Sequence, residues 1–538
     1  MTWQASIRPY LNQAYLLGLL MMAVGLTLSP FLMGMSQFWL VGVWLLDGRF
    51  KEKWQRFVSN KAAVLLVLFY LMHVVGLLYT SDFEYAMRDL RVKLPILVLP
   101  LVISSMKPLD RKRFDLLMQV YVLSVFVATL FSFSAYVRHD YEDVREISRF
   151  ISHIRFCLHI VFCMAVIGYY CAVRQQKKTD GAAPSIGVGT AIDSFLRYFL
   201  LAWFAYQIYI FESLSGYVIL AAIVFVSVVY AFLQWKKGRG WRIGIGIAAL
   251  AFVVLAVGVV SHEVKPMLKV DPVDFGTLEK KTAQGNDYWH DTVHNPIEDG
   301  KYVGLYYCHK ELQEAWPQRS DLPLEGTTLN GENLEATLTR YLTSKGLRKD
   351  AEGVAALTDD DIRNIEQGVA NYNNWKHPGL HARLSSTLFE YGLYQKFNNP
   401  NGGSLSQRIE FTRASFHLIG QHPWFGVGTG DVPQAFSQAY DEIHSPLKAE
   451  FRFRAHNQYL AIAVAFGLVG LAFFLFVLLY PWCASRKNHT YLYLVFLCIM
   501  MLSMLPEDTL ETQAGVSMFA FFLSLLLFGY DRPAVKQR

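Results

Sequence analysis

The chain has 538 residues, of which 53% are hydrophobic, 15% aromatic and only 17% charged, with a mean hydropathy of +0.24. A soluble protein of this length carries many more charged residues, so the composition excludes a soluble globular enzyme and indicates a membrane protein. The formal charge of +6 does not indicate nucleic-acid binding, because Lys and Arg form short clusters between apolar runs, as in loops of membrane proteins. The six cysteines form no disulfide framework or CxxC metal motif.

Apolar runs along the chain predict transmembrane helices, each of which takes about 20 residues. The runs are Tyr15–Leu28, Phe31–Leu46, Ala62–Leu78, Leu94–Ser105, Phe114–Val137, Phe156–Val173, Phe195–Phe211, Tyr217–Leu233, Ile243–Val260, Gln458–Trp482, Tyr491–Leu505 and Val516–Tyr530. The expected fold is therefore an all-α polytopic membrane protein with about 12 transmembrane helices.

The charges of the loops predict the orientation, since Lys and Arg in short loops favour the cytoplasm. Alternate loops carry basic clusters, at Arg49/Lys51/Lys53/Arg56/Lys61, Lys107/Arg111/Lys112/Arg113, Arg174/Lys177/Lys178, Lys236/Lys237/Arg239/Arg242, Arg486/Lys487 and Arg532/Lys536/Arg538, whereas the intervening loops are mixed or acidic. Both termini are thus expected in the cytoplasm. The predicted regions are 1–260 with about nine helices, a large outer loop at 261–455, and 456–538 with about three helices.

The outer loop has helical patterns at Leu334–Leu342 and Asp360–Tyr372 and is expected to fold as a mainly helical cap. Thr358 before Asp359-Asp360-Asp361 is typical of a helix N-cap, and a metal-binding DxD motif is the less favoured alternative. Four aromatic residues of the loop fit either sugar stacking or a small hydrophobic core: Trp289, Tyr306, Tyr307 and Trp316.

Two segments place reactive polar groups near the tenth apolar run. His456-Asn457 ends the outer loop and precedes Gly467 and Gly470 by one helical stretch. Upstream, Arg408 opens an amphipathic segment that also carries Arg413 and leads into the Gly426–Gly430 turn. That turn is not a dinucleotide fingerprint, because no strand precedes it.

Two further segments also place a charged residue at the start of an apolar run. Arg155, in His153-Ile154-Arg155-Phe156, stands at the outer start of the sixth run, where an arginine is costly unless it pairs with an anion or snorkels to the headgroups. Glu511, in Glu511-Thr512-Gln513-Ala514-Gly515, precedes the last run.

Together these segments resemble the O-antigen ligase and polymerase superfamily, in motif order from about Phe195 to Tyr530. The family carries His-Asn before spaced glycines, an Arg that opens an amphipathic helix, and a Pro-aromatic-Gly-x-Gly-x-Gly turn. One position departs from the pattern: where the family has Ser-Arg at the start of the eighth span, this chain has Glu212-Ser213 and no arginine. Arg155 is the candidate to supply the missing anion contact.

The resemblance implies a glycosyltransferase of lipopolysaccharide biosynthesis in the bacterial inner membrane. It would take a glycan from undecaprenyl diphosphate and pass it to a sugar hydroxyl of lipid A core, or of a second lipid-linked glycan, at the periplasmic face. His456 is the expected base, Arg408, Arg155 and Arg413 the diphosphate clamps, and Asn457, Glu511 and Arg454 supporting groups. No acidic metal cage is evident, so no metal and no cofactor are expected.

Other functions stay open at this point. A polysaccharide polymerase and a protein O-oligosaccharyltransferase would use the same chemistry on other acceptors. A polysaccharide flippase or secondary transporter predicts charged residues near the bilayer midplane and broken helices, whereas here the polar groups gather at the outer mouth. A non-enzymatic glycan-binding scaffold would tolerate loss of His456.

Overall fold

The computed structural model describes residues 3–138, 144–179, 188–234, 239–485, 488 and 490–531. The predicted basic clusters at Lys236/Lys237, Arg486/Lys487 and Arg532/Lys536/Arg538 lie outside these residues. The chain forms two compact units. The first unit comprises Met1–Ala249, Phe411–Ser445 and Arg452–Arg538, and the second comprises Leu250–Glu410 and Pro446–Phe451.

The first unit consists of helices joined by loops, with one isolated β-bridge, between Leu109 and Tyr530, among its described residues. Its helices are α1 (Trp3–Leu28), α2 (Pro30–Leu46), α3 (Phe50–Ser59), α4 (Lys61–Val75), α5 (Phe83–Ser105), α6 (Arg111–Val137), α7 (His153–Thr179), α8 (Val188–Ile210), α9 (Leu214–Gln234) and α10 (Arg239–Leu268), which runs into the second unit. After the second unit follow α17 (Ser404–Gln421), whose first residues belong to that unit, α18 (Val432–Glu442), α19 (Gln458–Ala484), α20 (Tyr491–Ser503) and α21 (Gln513–Phe528).

The twelve predicted apolar runs all fall on helices, which supports an all-α membrane protein. Among the described residues, six helices are long and apolar enough to cross a membrane: Arg8–Leu28, Lys61–Tyr79, Arg111–Val137, His153–Ala172, Leu214–Ala231 and Gln458–Ala484. The bent pair α2 and α3 would make a seventh, and α20 and α21 are apolar but shorter. The count of about twelve spans thus stays a prediction.

Helix α21 forms part of the centre of the first unit. Its residues from Gly515 to Leu527 are all buried, and it packs along α5. A helix that is apolar on every side must be surrounded by other helices or by lipid, and the burial of α21 shows that other helices surround it.

Polar contacts join one set of helix ends in the first unit, which we call the His456 end. Asp431, at the start of α18, accepts hydrogen bonds from the backbone N–H groups of Ser81 and Asp82, just before α5. Arg454, just before α19, donates to Tyr85 of α5 at 2.8 Å. The starts of α5, α18 and α19 therefore meet at this end.

The second unit contains short helices and one small strand pair in its described residues. The helices are α11 (His309–Ala315), α12 (Leu334–Lys345), α13 (Ala351–Ala355), α14 (Asp359–Glu366), α15 (Tyr372–Lys376) and α16 (Leu380–Phe397), and β1 (Ile297–Glu298) pairs antiparallel with β2 (Lys301–Tyr302). Trp316 and Tyr341 lie in its core with no exposed surface, and Tyr307 packs against that core. Trp316 and Tyr307 therefore belong to a small hydrophobic core, which was one of the two interpretations of the loop aromatic residues. Trp289, in contrast, is 59% exposed.

Of the two helical patterns predicted for this unit, the structure confirms one and contradicts the other. Leu334–Leu342 lies within α12, but the single helix expected over Asp360–Tyr372 is wrong. Helix α14 ends at Glu366 because Gly368 adopts a left-handed φ of +87°, and α15 begins only at Tyr372.

The N-cap expected at Thr358 is confirmed. Thr358 and Asp361 form a reciprocal capping box at the start of α14. Asp361 also accepts hydrogen bonds from Tyr341 at 2.7 Å and from Lys345 at 2.6 Å. These contacts occupy the carboxylate and favour the capping interpretation over a metal-binding DxD motif.

Candidate active site

His456 lies in a loop whose backbone is fixed by neighbouring side chains. The hydroxyl of the buried Tyr440 donates to the carbonyl of Phe453 at 2.6 Å, and Arg452 pairs with Asp441 at 2.7 Å. Between these anchors and α19, His456 adopts a φ of +44°, a left-handed conformation that is uncommon for a residue with a side chain. Such strain persists only where the surroundings impose it, and it is concentrated at functional sites.

Aromatic rings hold the imidazole of His456. Its ring stacks on Phe411 with centroids 5.3 Å apart and planes 26° apart, and it meets the edge of Phe453 at 6.1 Å. The His456 side chain nevertheless stays 33% exposed. The ring is therefore held in orientation while part of it remains accessible.

Two carboxylates lie beside the imidazole. The Nδ1 atom of His456 is buried without a hydrogen-bond partner, and Glu507 Oε2 is 3.9 Å away. Ligand atoms of His456, Glu507 and Asp508 lie within 4.8 Å of one another, so this trio has the spacing to hold a divalent cation. A carboxylate at this distance can pair with the imidazolium that forms when the imidazole accepts a proton.

Asn457 begins the tenth apolar run as the N-cap of α19. Its side-chain oxygen accepts from the N–H of Leu460 at 3.0 Å, and its amide nitrogen donates to the carbonyl of Leu505 at 2.8 Å. Asn457 thus fixes the helix end immediately after His456. This contact gives a structural basis for its expected supporting role.

A buried ion network lies at the same end of the first unit. Lys93, with a side chain 2% exposed, contacts Asp89 and donates to Glu511 at 2.8 Å. Arg454 donates to Glu511 at 3.1 Å and to Tyr85 at 2.8 Å. Glu511 therefore bridges a lysine of α5 and an arginine of the His456 loop.

The charges of this network shift its pKa values in opposite directions. Burial alone would raise the pKa of Glu511, but Lys93 and Arg454 outweigh it and hold the pKa well below its usual range. Burial raises the pKa of Asp508, and the charge of Glu511 adds to that shift. Arg454 lies 3.7 Å from Asp508, so its charge is balanced by two carboxylates.

A small cavity of about 20 Å³, enough for about one water molecule, adjoins this network. Its polar walls are formed by His73, Tyr85, Asp89, Lys93, Thr429, Arg454 and Glu511. Apolar side chains of α18 and α19 close the remaining sides. The cavity therefore has room for about one water molecule beside the network.

The glycine-rich turn Gly426–Gly430 packs against a break in α19. Gly467 has a φ of +66°, which interrupts the helix. The carbonyls of Val464 and Ala465 accept from two N–H groups of the turn at 3.0 and 2.9 Å, and Leu468 N donates back to the turn segment at 2.8 Å. A β-carbon on Gly467 would lie 2.2 Å from the carbonyl carbon of Trp424. Both glycine motifs thus serve close backbone packing.

Residues 368–475 match the family model described as O-antigen ligase. The chain carries a domain of the O-antigen ligase superfamily. The matched segment contains Arg408, Arg413, the glycine-rich turn and His456, so the resemblance is confirmed for these motifs, whereas Arg155 and Glu511 lie outside the match. No curated protein matches the sequence.

The two arginines of the O-antigen ligase domain lie on α17. Arg408 is half-buried and precedes Phe411 by three residues, and Arg413 is exposed. Ser415, on the same helix, is buried and donates to the carbonyl of Phe411 at 2.7 Å.

Arg155 lies near the position where the family arginine is missing. It is half-buried at the start of α7, and its Nε atom is buried without a hydrogen-bond partner. The start of α9 packs against the same part of α7, since a β-carbon on Gly216 would lie 3.5 Å from Cys157 Cβ. Arg155 thus lies two residues before Cys157, which contacts the start of α9, and Glu212-Ser213, where the family arginine is missing, directly precedes α9.

Four residues of the site were not singled out from the sequence: Lys93, Tyr85, Glu507 and Asp508. Lys93 had a usable signal, because it stands at the edge of an apolar run with Asp89 one helical turn before it. From the sequence, Glu507 and Asp508 are only part of an acidic loop. Their proximity to His456 depends on how the segment between α20 and α21 contacts the start of α19.

Proposed function

We propose that this protein transfers a glycan from undecaprenyl diphosphate to a sugar hydroxyl of lipid A core at the periplasmic face of the inner membrane. The observation that carries the proposal is His456, which lies within the O-antigen ligase domain, stacked on Phe411 and beside two carboxylates. Such an imidazole is a suitable base for a hydroxyl nucleophile.

In the proposed step, the acceptor hydroxyl attacks the anomeric carbon of the donor sugar. His456 removes the hydroxyl proton as the new C–O bond forms, and the bond to the diphosphate breaks with its electron pair leaving on the diphosphate. Glu507, 3.9 Å from Nδ1, stabilises the resulting imidazolium. A single displacement of this kind inverts the anomeric centre.

The departing diphosphate gains negative charge that cationic groups must stabilise. Arginine suits this task because its planar fork of donors matches phosphate oxygens and stays charged. Arg408, Arg413 and Arg155 are the proposed clamps, Arg155 with a buried Nε that lacks a partner. Arg454 is excluded from this role because Glu511 and Asp508 balance its charge, so it positions the His456 loop instead.

The orientation with both termini in the cytoplasm is part of the proposal. The ends of helices opposite His456 carry the exposed cations Lys51, Arg56, Lys61, Lys107 and Lys112. Basic residues concentrate on the cytoplasmic side of membrane proteins, which supports the proposal that His456 faces the outside.

His456→Ala tests the proposal in cells, with surface glycans separated on gels. The matched control is His444→Ala, since His444 also has a left-handed φ, of +49°, but is exposed. We expect the first variant to lose glycan transfer by about 10²-fold or more and the second to be unchanged. Lipid A core without a ladder, with accumulated lipid-linked polymer, identifies a ligase, whereas core bearing a single repeat identifies a polymerase. An unchanged profile in a normally expressed His456→Ala protein overturns the enzyme proposal.

A further inference from the structure

The end of the first unit opposite His456 contains an amphipathic helix. Phe50, Trp54 and Val58 follow one another at four-residue spacing on α3 and are 52%, 63% and 48% exposed. Helix α3 also carries Lys51 and Arg56 and turns by 119° from the apolar helix α2. A short helix with exposed aromatic residues and cations lies in the membrane interface, so α3 marks the headgroup level at this end.

An open cleft of about 540 Å³ begins where α3 ends. It is lined by the second half of α3, the first turn of α4, the ends of α5, α19 and α21, and residues that follow α5 and α19. Because α5 and α19 start at the His456 end, the cleft lies at the other end of the first unit.

The cleft is positively charged. Arg56 and Lys61 line it, and within the described part of the chain none of its lining residues is acidic. Glu52 lies 3.7 Å from Arg56, but both side chains are exposed, so this pair leaves much of the arginine's charge effective. The first turn of α4 adds the positive end of a helix dipole.

The remaining lining suits a lipid better than a free anion. Ser59, Asn60 and Ser485 provide small polar groups beside the cations, whereas Pro108 and Phe528 provide apolar surface in the same cleft. A phosphate headgroup that continues into acyl chains has the same division into charged and apolar parts.

We propose that this cleft binds the headgroup of an anionic phospholipid, with Arg56 and Lys61 contacting the phosphate. Basic pockets at the membrane surface, between transmembrane helices, select anionic lipids in this way. The site is separate from His456, so it holds whether or not the proposed glycan transfer is correct.

The test uses the purified full-length protein in detergent, with its apparent melting temperature measured during lipid titration. Phosphatidylglycerol is the probe, and phosphatidylcholine with the same acyl chains is the zwitterionic control. Glycerol phosphate, which lacks acyl chains, distinguishes a lipid site from a free-phosphate site. We expect phosphatidylglycerol alone to raise the melting temperature.

The decisive variants are Arg56→Gln/Lys61→Gln and the control Lys51→Gln/Lys112→Gln, which removes the same charge from exposed residues outside the cleft. We expect the first pair to need roughly tenfold more phosphatidylglycerol for half the effect, and the control to match the wild type. If the double variant does not fold, the same comparison is made between the single variants Lys61→Gln and Lys112→Gln. Equal shifts in both pairs, equal stabilisation by phosphatidylcholine, or full stabilisation by glycerol phosphate each overturn the proposal.

Discussion

The imidazole of His456 stacks on the ring of Phe411, with centroids 5.3 Å apart. Phe411 is 2% exposed, so truncation to Ala would leave a cavity and confuse folding with function. Phe411→Leu keeps most of the apolar volume but removes the flat surface that orients the imidazole. We expect glycan transfer to fall about tenfold, since aromatic pairs contribute about 0.5–1.5 kcal/mol. Initial rates with isolated lipid-linked donor measure this effect.

The control for that variant is Phe416→Leu. Phe416 lies on the same helix and is 62% exposed. Its substitution should leave the rate unchanged. Equal rates for wild type and Phe411→Leu would show that the stacking does not orient the base.

Variants of Asn457 can distinguish a role in capping α19 from a direct role of the amide in the reaction. Asn457→Ala removes the acceptor for Leu460 N, and loss of an N-cap costs about 1 kcal/mol of stability. Asn457→Ser retains a capping oxygen but has no amide. We expect both stability and transfer to survive in the Ser variant and to decline in the Ala variant, as measured by thermal unfolding and gel analysis. Loss of transfer in a stable Ser variant would show that the amide itself acts in the reaction.

Glu511 pairs with the buried Lys93 and the half-buried Arg454, so its charge should matter for stability. Glu511→Gln removes the carboxylate that the two cations share and leaves Lys93 with Asp89 and Arg454 with the more distant Asp508, and breaking a buried ion pair typically costs about 3–5 kcal/mol. We expect a large fall in the melting temperature of the purified protein. The control is Glu84→Gln, since the Glu84 side chain is 87% exposed and pairs with Arg88 on the surface. Equal melting temperatures in the two variants would contradict the role of Glu511.

The sequence predicts the helices of this protein better than its site. Apolar runs are local features, so each predicted run lies on a helix. His456, Arg408 and the glycine turn follow from local motifs and lie in the matched segment. The proximity of Lys93 to Glu511, which are 418 residues apart, depends on the packing of α5 beside α21 and has no local signal. The helix break at Gly467 is likewise set by its contact with the glycine turn.

Metal removal separates two roles of the carboxylates beside His456. His456, Glu507 and Asp508 have the spacing of a cation site, although the proposed reaction needs no metal. We therefore expect dialysis against a chelator to leave the transfer rate of the purified protein within about twofold of the untreated rate, because arginines supply the positive charge at the diphosphate. Loss of activity that returns with added divalent cation would assign the trio to a metal instead.

Asp361 should make the free energy of unfolding of the second unit fall at low pH. Burial alone would raise its pKa, but hydrogen bonds from Lys345, Tyr341 and Thr358 outweigh it and lower the pKa from 3.8 to about 2. Because the folded-state pKa is the lower one, the stabilisation is present above about pH 4 and disappears as the pH falls towards 2.

Asp361→Asn removes this contribution and should reduce the free energy of unfolding by about 2 kcal/mol at neutral pH. The difference from wild type should shrink between pH 4 and pH 2, as followed by thermal unfolding of the full-length protein. Asp359→Asn is the control, because the Asp359 side chain is 89% exposed in the same helical turn. A difference that persists unchanged at the lowest pH would show that Asp361 stabilises the unit through the shape of its contacts and not through its charge.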